Sequence, residues 1–286
     1  MRPNVTVHLV RLRASGFTLV ELMVVMLLTA ILGATIGMFI RNPVSSYFST
    51  INRAALTDAA DLVVRRMARE LQAAVPNSVR VTSSGTTQFL EFVPVVDTGR
   101  YRVAKSNGND PTGIFPLDFS NTGNNYFQIL GPTVNAPAGS QLVITNLGFG
   151  NMNLYGGGNV RALSVTGNNL QAITYTPAGA WPAASPANRF YLFTTAVSYV
   201  CSPNANGTGT LTRYYGYTPT AAQPNSVTAA PLSTASNALV LNDVSSCAYT
   251  PGTAQTDLNS MQINLQLTNN SESVTLYSQV ITPNGP

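Results

Sequence analysis

Residues 17–40 read FTLVELMVVMLLTAILGATIGMFI, twenty-four positions carrying one charge, Glu21. At about 1.5 Å per residue a helix over this stretch is roughly 36 Å long, enough to cross a hydrocarbon core of about 30 Å with some tilt. Arg2, Arg11 and Arg13 precede the run and Arg41 follows it. That asymmetry keeps the N-terminus cytoplasmic and sends the rest of the chain across. A secretory signal peptide has an apolar core of only about 7–15 residues, closed by a small-residue cleavage site. Here small residues come late, at 30–37, so the length favours a permanent span.

Glu21 is the odd feature, a carboxylate little more than one turn into an apolar helix. An acid in hydrocarbon costs up to about 3 kcal/mol at the centre of a bilayer and less near an end. Two readings relieve that cost. The side chain can reach back to water, as polar groups near helix ends do. Alternatively, a cut between Gly16 and Phe17 creates an ammonium group four residues before Glu21 that neutralises it, either in the same chain or from a neighbouring subunit. Further along, Gly33 and Gly37 form a small-xxx-small pair that lets apolar helices approach closely. Glycine is also simply commoner in membrane helices. Both readings fit a helix that packs in a bundle.

The whole chain has 286 residues, 44% hydrophobic and 9% charged, against roughly 25% charged in an ordinary soluble domain. That composition supplies a core and argues against disorder. The net charge of +4 divides unevenly. Residues 1–16 hold +3, residues 81–286 hold −1, and the chain without its first sixteen residues is close to neutral. A basic nucleic-acid-binding body is therefore not supported, and no nucleic-acid partner is expected. The single histidine is His8, and the only cysteines are Cys201 and Cys247. No Cys/His zinc site, no histidine-based triad and no cofactor motif is present, so no catalytic or metal residue is assigned. A binding, structural or assembly role remains.

Beyond the span, Asn42-Pro43 suits a helix cap and first turn, so a second helix starts there or the first one kinks. Val44, Phe48, Ile51, Ala55, Ala59, Leu62, Met67 and Leu71 recur near the helical period, and Pro76 ends the pattern. This stripe is expected to pack on a globular body. Arg65, Arg66 and Arg69 read as a solvated face. From residue 79 the chain turns to short β-branched and aromatic segments separated by Gly, Asn, Pro and Ser. Expected strands are 88–93, 126–130, 141–145, 171–175, 190–199, 210–217, 261–267 and 273–281. With no helical pattern between them to serve as crossovers, the body is antiparallel. The stretches 105–125 and 147–187 read as long surface loops, and Gly156-Gly157-Gly158 as a turn. Cys201 and Cys247, an even pair in a body placed outside the cytoplasm, are expected to form a disulfide, with two reduced buried cysteines as the alternative. On the chain-entropy account that bridge contributes roughly 4 kcal/mol.

Ser15-Gly16-Phe17-Thr18-Leu19-Val20-Glu21-Leu22 resembles the type IV prepilin processing motif shared by pilins, minor pilins and type II secretion pseudopilins. The resemblance implies that a prepilin peptidase cuts after Gly16 on the cytoplasmic face and methylates the new amino group of Phe17. It also implies that Glu21 pairs with another subunit's N-terminus during assembly. Later segments, Leu71-Gln72-Ala73-Ala74-Val75-Pro76-Asn77-Ser78-Val79-Arg80, Val197-Ser198-Tyr199-Val200-Cys201, Tyr214-Tyr215-Gly216-Tyr217 and Ser236-Asn237-Ala238-Leu239, look like the O-type minor pilins of mannose-sensitive haemagglutinin (MSHA) pili. They are also similar to W-type minor pilins and J-type pseudopilins. The implied protein is an α+β minor pilin that initiates or caps an MSHA-like pilus with no chemistry of its own. Its parts are a leader at 1–16, a spanning and filament-core helix at 17–40, an amphipathic helix at 41–78 and a periplasmic β-rich body at 79–286. Its partners are the peptidase, other pilin and minor pilin subunits and inner-membrane lipid. A J-type secretion pseudopilin or a tip-displayed adhesin are the alternatives.

Overall fold

The computed structural model describes residues 16–103, 115–119, 123, 125–252 and 259–283, with the backbone alone at 40–43. It shows an α+β chain in which one long apolar helix, α1 (Leu19–Gln72), is followed by a β-rich body. No second helix starts at Asn42-Pro43, because α1 runs through it. An interior proline removes one backbone hydrogen bond, and the ladder resumes on either side. The helix ends at Gln72, where the Ala73 and Ala74 N–H groups donate to the carbonyls of Arg69 and Leu71. Pro76 then disfavours helical backbone just before it.

Two compact units meet in sequence at Ile51 and Asn52. In the first, every described side chain from Gly16 to Phe39 is exposed. Among the described residues α1 is the one helix long and apolar enough to cross a membrane. Its surface there is apolar all round, which water does not tolerate and lipid or neighbouring helices do.

The second unit contains the last turns of α1. Leu56, Ala60, Val63, Val64, Met67 and Leu71 are buried on one stripe of three- and four-residue steps. This corrects the expected stripe, of which only Met67 and Leu71 are buried, while Ala59 is half-buried and Ala55 and Leu62 face solvent. The five-residue step from Leu62 to Met67 turns about 140° around a helix of 3.6 residues per turn, so the two cannot share a face.

The stripe packs on a seven-stranded antiparallel sheet. Its first two strands, β1 (Arg80–Ser84) and β2 (Thr87–Phe92), form a hairpin. The chain then leaves the sheet for β3 (Asp97–Tyr101), β4 (Tyr126–Leu130), β5 (Val134–Ala136), β6 (Gln141–Val143), β7 (Val160–Leu163), β8 (Gly167–Leu170), β9 (Ala172–Thr176) and β10 (Arg189–Phe193). It returns as β11 (Ala196–Ser202), which pairs directly with β2, and continues through β12 (Gly209–Tyr217), β13 (Ser236–Pro251), β14 (Ser260–Asn269) and β15 (Glu272–Ile281). The order β1-β2-β11-β12-β13-β14-β15 is thus an up-and-down meander with one insertion. Six of the inserted strands close a barrel in the order β10-β3-β4-β9-β7-β6, and β5 pairs with β8. Tyr101, Phe127, Tyr175, Trp181 and Phe190 fill its core, so it is packed rather than hollow.

Two expectations change here. The single strand at 190–199 is two strands in different sheets, β10 and β11. The loop at 147–187 carries β7, β8, β9 and a 3₁₀ turn at Leu154–Gly156, while the loop at 105–125 lies largely outside the described residues. Gly157 has φ 73°, a left-handed turn conformation that matches the turn expected at the glycine run.

β13 is where the sheet bends. Its first half pairs with β12 and its second half, from Val244, with β14, and Asp243 between them has φ 62°. The disulfide Cys201–Cys247 joins β11 to the second half of β13, with Cα atoms 6.6 Å apart. Strands two apart in a flat sheet lie about 9.5 Å apart, so the sheet curls over itself at this corner. Tyr199 and Tyr249 are buried beside the bend.

Candidate functional site

The residues singled out in the sequence fall into two places. Gly16, Phe17, Glu21, Gly33 and Gly37 belong to the N-terminal unit, and Cys201 and Cys247 to the body. Ser15 and the basic residues before it lie outside the described residues.

Gly16, Phe17 and Thr18 precede the first helical turn without regular structure. The Thr18 hydroxyl oxygen accepts the Glu21 backbone N–H at 3.2 Å, and the Leu22 N–H donates to the Thr18 carbonyl at 3.1 Å. Thr18 is therefore the N-cap and Glu21 the third helical residue, the T-x-x-E spacing of a capping box. The spacing is visible in the sequence, but the cap role of Thr18 was not read from it. Glu21 has a local reason to be acidic, because a carboxylate in the first turn opposes the positive end of the helix dipole.

Nothing in the chain explains the glycines. A Cβ placed on Gly16, Gly33 or Gly37 meets no atom within 4 Å. Among the described residues, packing within this subunit does not require the absence of a side chain at these positions. Phe17 is 77% exposed, leaving the Gly16–Phe17 bond accessible at the end of the helix.

Among the described residues the body holds one buried charged side chain, Glu91. Glu91 is fully buried, with Arg80 Nε at 2.6 Å and the Tyr217 hydroxyl donating at 3.1 Å. Arg80 also donates to the Thr220 and Ala221 carbonyls and stacks on the Tyr155 ring at 3.4 Å. Burial pushes the Glu91 carboxyl above its usual range, and Arg80 and Tyr217 pull it back. Every polar group here is spent on tying β1, β2, β12 and the 220–223 segment together, which leaves none aimed at a ligand. Arg80→Met keeps the stem over Tyr155 but strands a buried carboxylate. We expect a loss of about 3 kcal/mol in denaturant unfolding, smaller when Glu91→Gln is added.

The buried tyrosines set an alkaline limit. Burial raises the hydroxyl pKa of Tyr199, Tyr217 and Tyr249 far above the ordinary value near 10. A raised folded pKa contributes stability that is complete below pH about 10 and is lost above it, because only the unfolded chain then ionises. Each such tyrosine costs about 1.4 kcal/mol per pH unit above 10. Melting temperature should hold to pH 9.5 and fall steeply beyond pH 10.5, with the share of tyrosinate absorbance due to the buried rings appearing only together with unfolding.

Among the described residues no group of three or more His, Cys, Asp or Glu side chains is placed to hold a metal ion. No curated protein and no solved structure matches the chain. Residues 11–37 match the family profile described as the prokaryotic N-terminal methylation motif. That match covers the capped helix start and the exposed Gly16–Phe17 bond, and it supports a type IV pilin-like or pseudopilin-like protein.

Proposed function

We propose that the chain is the precursor of a minor pilin of a type IV pilus, a structural subunit rather than an enzyme. A prepilin peptidase cuts between Gly16 and Phe17 and methylates the Phe17 amine, removing the leader at 1–16. The helix at 17–40 holds the subunit in the bacterial inner membrane, N-terminus cytoplasmic, and becomes filament core on assembly. The helical segment 41–78 carries the periplasmic body at 79–286. Glu21 pairs with another subunit's N-terminal ammonium, and Gly33 and Gly37 admit a neighbouring helix. The observation that carries this reading is the methylation motif at 11–37, set on a helix start whose surface is wholly exposed. The scattered later segments support an MSHA-like pilus, in which the subunit joins an initiating or capping complex.

Mass spectrometry of the chain from its native host tests it. The mature protein is expected to begin at Phe17 and to carry one methyl group on its amine. A protein that still begins at Met1 in assembled pili overturns the proposal.

A further inference from the structure

Beside the bend in β13, Leu239, Leu241 and Asp243 form one wall of a groove of about 360 Å³, with Leu56 and Ala59 of α1 and Leu267 of β14 completing it. Three observations coincide there. The first half of β13 is hydrogen-bonded to β12 on one side only, since pairing with β14 begins at Val244. Among the described residues its other edge has no strand partner, so a row of backbone N–H and C=O groups faces the groove. Six of the eight residues that line the groove are apolar, and Leu239 among them is 57% exposed. The Asp243 carboxylate lies at its end with no hydrogen-bond or ion-pair partner among the described residues.

The other edge strands lack this combination. β15 pairs only with β14, yet its one charged residue, Glu272, is taken by Arg53. β1 is five residues long, and Arg80 and Glu91 bind each other across it and β2.

We infer that this groove is a docking site for an extended segment of another protein chain, which adds as a strand to the first half of β13. It lays apolar side chains against Leu56 and Leu239 and presents one basic residue to Asp243. Backbone pairing supplies generic affinity, alternate apolar side chains fill the floor, and the charge fixes register. A second copy of this chain is disfavoured by the same chemistry, because the groove would then need a free basic strand. Among the described strands that lie at a sheet edge, Arg80 of β1 is already bound to Glu91 and β15 has no cation.

The full chain in detergent micelles tests this with a fluorescent octapeptide of alternating valine and threonine bearing one central lysine. Two control peptides replace the lysine by glutamine or the alternate threonines by proline. Asp243→Asn is the matched variant, because asparagine tolerates the same left-handed backbone and only the charge is lost. The lysine peptide is expected to bind and to slow hydrogen exchange at Leu239–Asp243. Its affinity should fall about threefold to fivefold with Asp243→Asn or with the glutamine peptide, but not further when both are combined. The proline peptide should not bind. Absence of binding, equal affinity of the lysine and glutamine peptides, binding of the proline peptide, or protection elsewhere in the sheet would overturn the inference. So would peptide-free self-association that Asp243→Asn abolishes, which would assign the groove to a second copy.

Discussion

Gly209→Val is expected to leave the β-rich body largely unfolded while the membrane helix still inserts. Gly209 opens β12 opposite Val244, at the point where β13 bends. A Cβ there would lie 2.2 Å from the Val244 carbonyl oxygen, 2.5 Å from the Asn204 nitrogen and 2.6 Å from the Ser202 carbonyl oxygen. All three are backbone atoms, and the Asn204 N–H donates to that same Val244 carbonyl at 3.0 Å. No rotamer change relieves such a clash, so the β11–β12 turn must move away from β13. The turn is also what keeps Cys201 within reach of Cys247. A loss above about 4 kcal/mol is expected, a large part of the roughly 5–15 kcal/mol that holds a domain folded. Gly207, two residues earlier, makes a matching case. Its φ is 75°, and a Cβ would sit 2.0 Å from the Thr268 carbonyl oxygen. Gly85→Ala is the contrast, with a left-handed φ of 60° but open space around it, and should cost only about 1 kcal/mol. Protease resistance and cysteine alkylation without reductant separate the three variants. A Gly209→Val body as protease-resistant as wild type would show that the turn and the bend are not locked together.

This corner also marks where sequence reading stops. The strands at 126–130, 210–217, 261–267 and 273–281 were legible because they are rich in β-branched and aromatic residues, and at 261–267 the alternation of apolar residues also matches the burial. β13 was missed as a strand. Its sequence, SNALVLNDVSSCAYTP, is rich in Asn, Ser and Asp, types with low strand preference. What makes it a strand is two partners, β12 on one half and β14 on the other, which only long-range folding supplies. The inserted barrel was hidden for the same reason. Nothing local in residues 190–199 says that Phe193 ends a barrel strand and Ala196 begins a sheet strand, because both halves are apolar and β-prone. At the N-terminus the opposite holds. The long apolar helix was legible, since it depends on adjacent residues and on solvent rather than on distant strands, although its cap at Thr18 was not read.

Glu21→Gln is expected to abolish incorporation into pili while leaving insertion, cleavage and methylation intact, and the choice of glutamine is what makes the experiment decisive. Two explanations of the acid compete. One is local, with Glu21 as the third helical residue of a capping box begun by Thr18, its charge set against the helix dipole. The other is intermolecular, with Glu21 neutralising the ammonium of a neighbouring subunit. Glutamine serves a capping box as well as glutamate does, and the dipole contribution it forfeits is only about 0.3–1 kcal/mol. A missing charge partner is larger, because an ammonium and a carboxylate about 4 Å apart attract by roughly 4 kcal/mol at an effective dielectric of 20, and more in hydrocarbon. If capping were the purpose, Glu21→Gln would assemble normally and Thr18→Ala, which removes the hydroxyl acceptor at a cost of about 1 kcal/mol, would be the damaging change. If pairing is the purpose, the order reverses: Thr18→Ala assembles and Glu21→Gln does not. Counting the subunit in sheared pili, beside the processed form retained in membranes, reads both variants on one scale. Among the described residues Glu21 makes no ion pair. A carboxylate on an apolar helix is relieved in lipid either by reaching interfacial water or by meeting an ammonium group, and the opposite orders expected of the two variants tell capping from pairing.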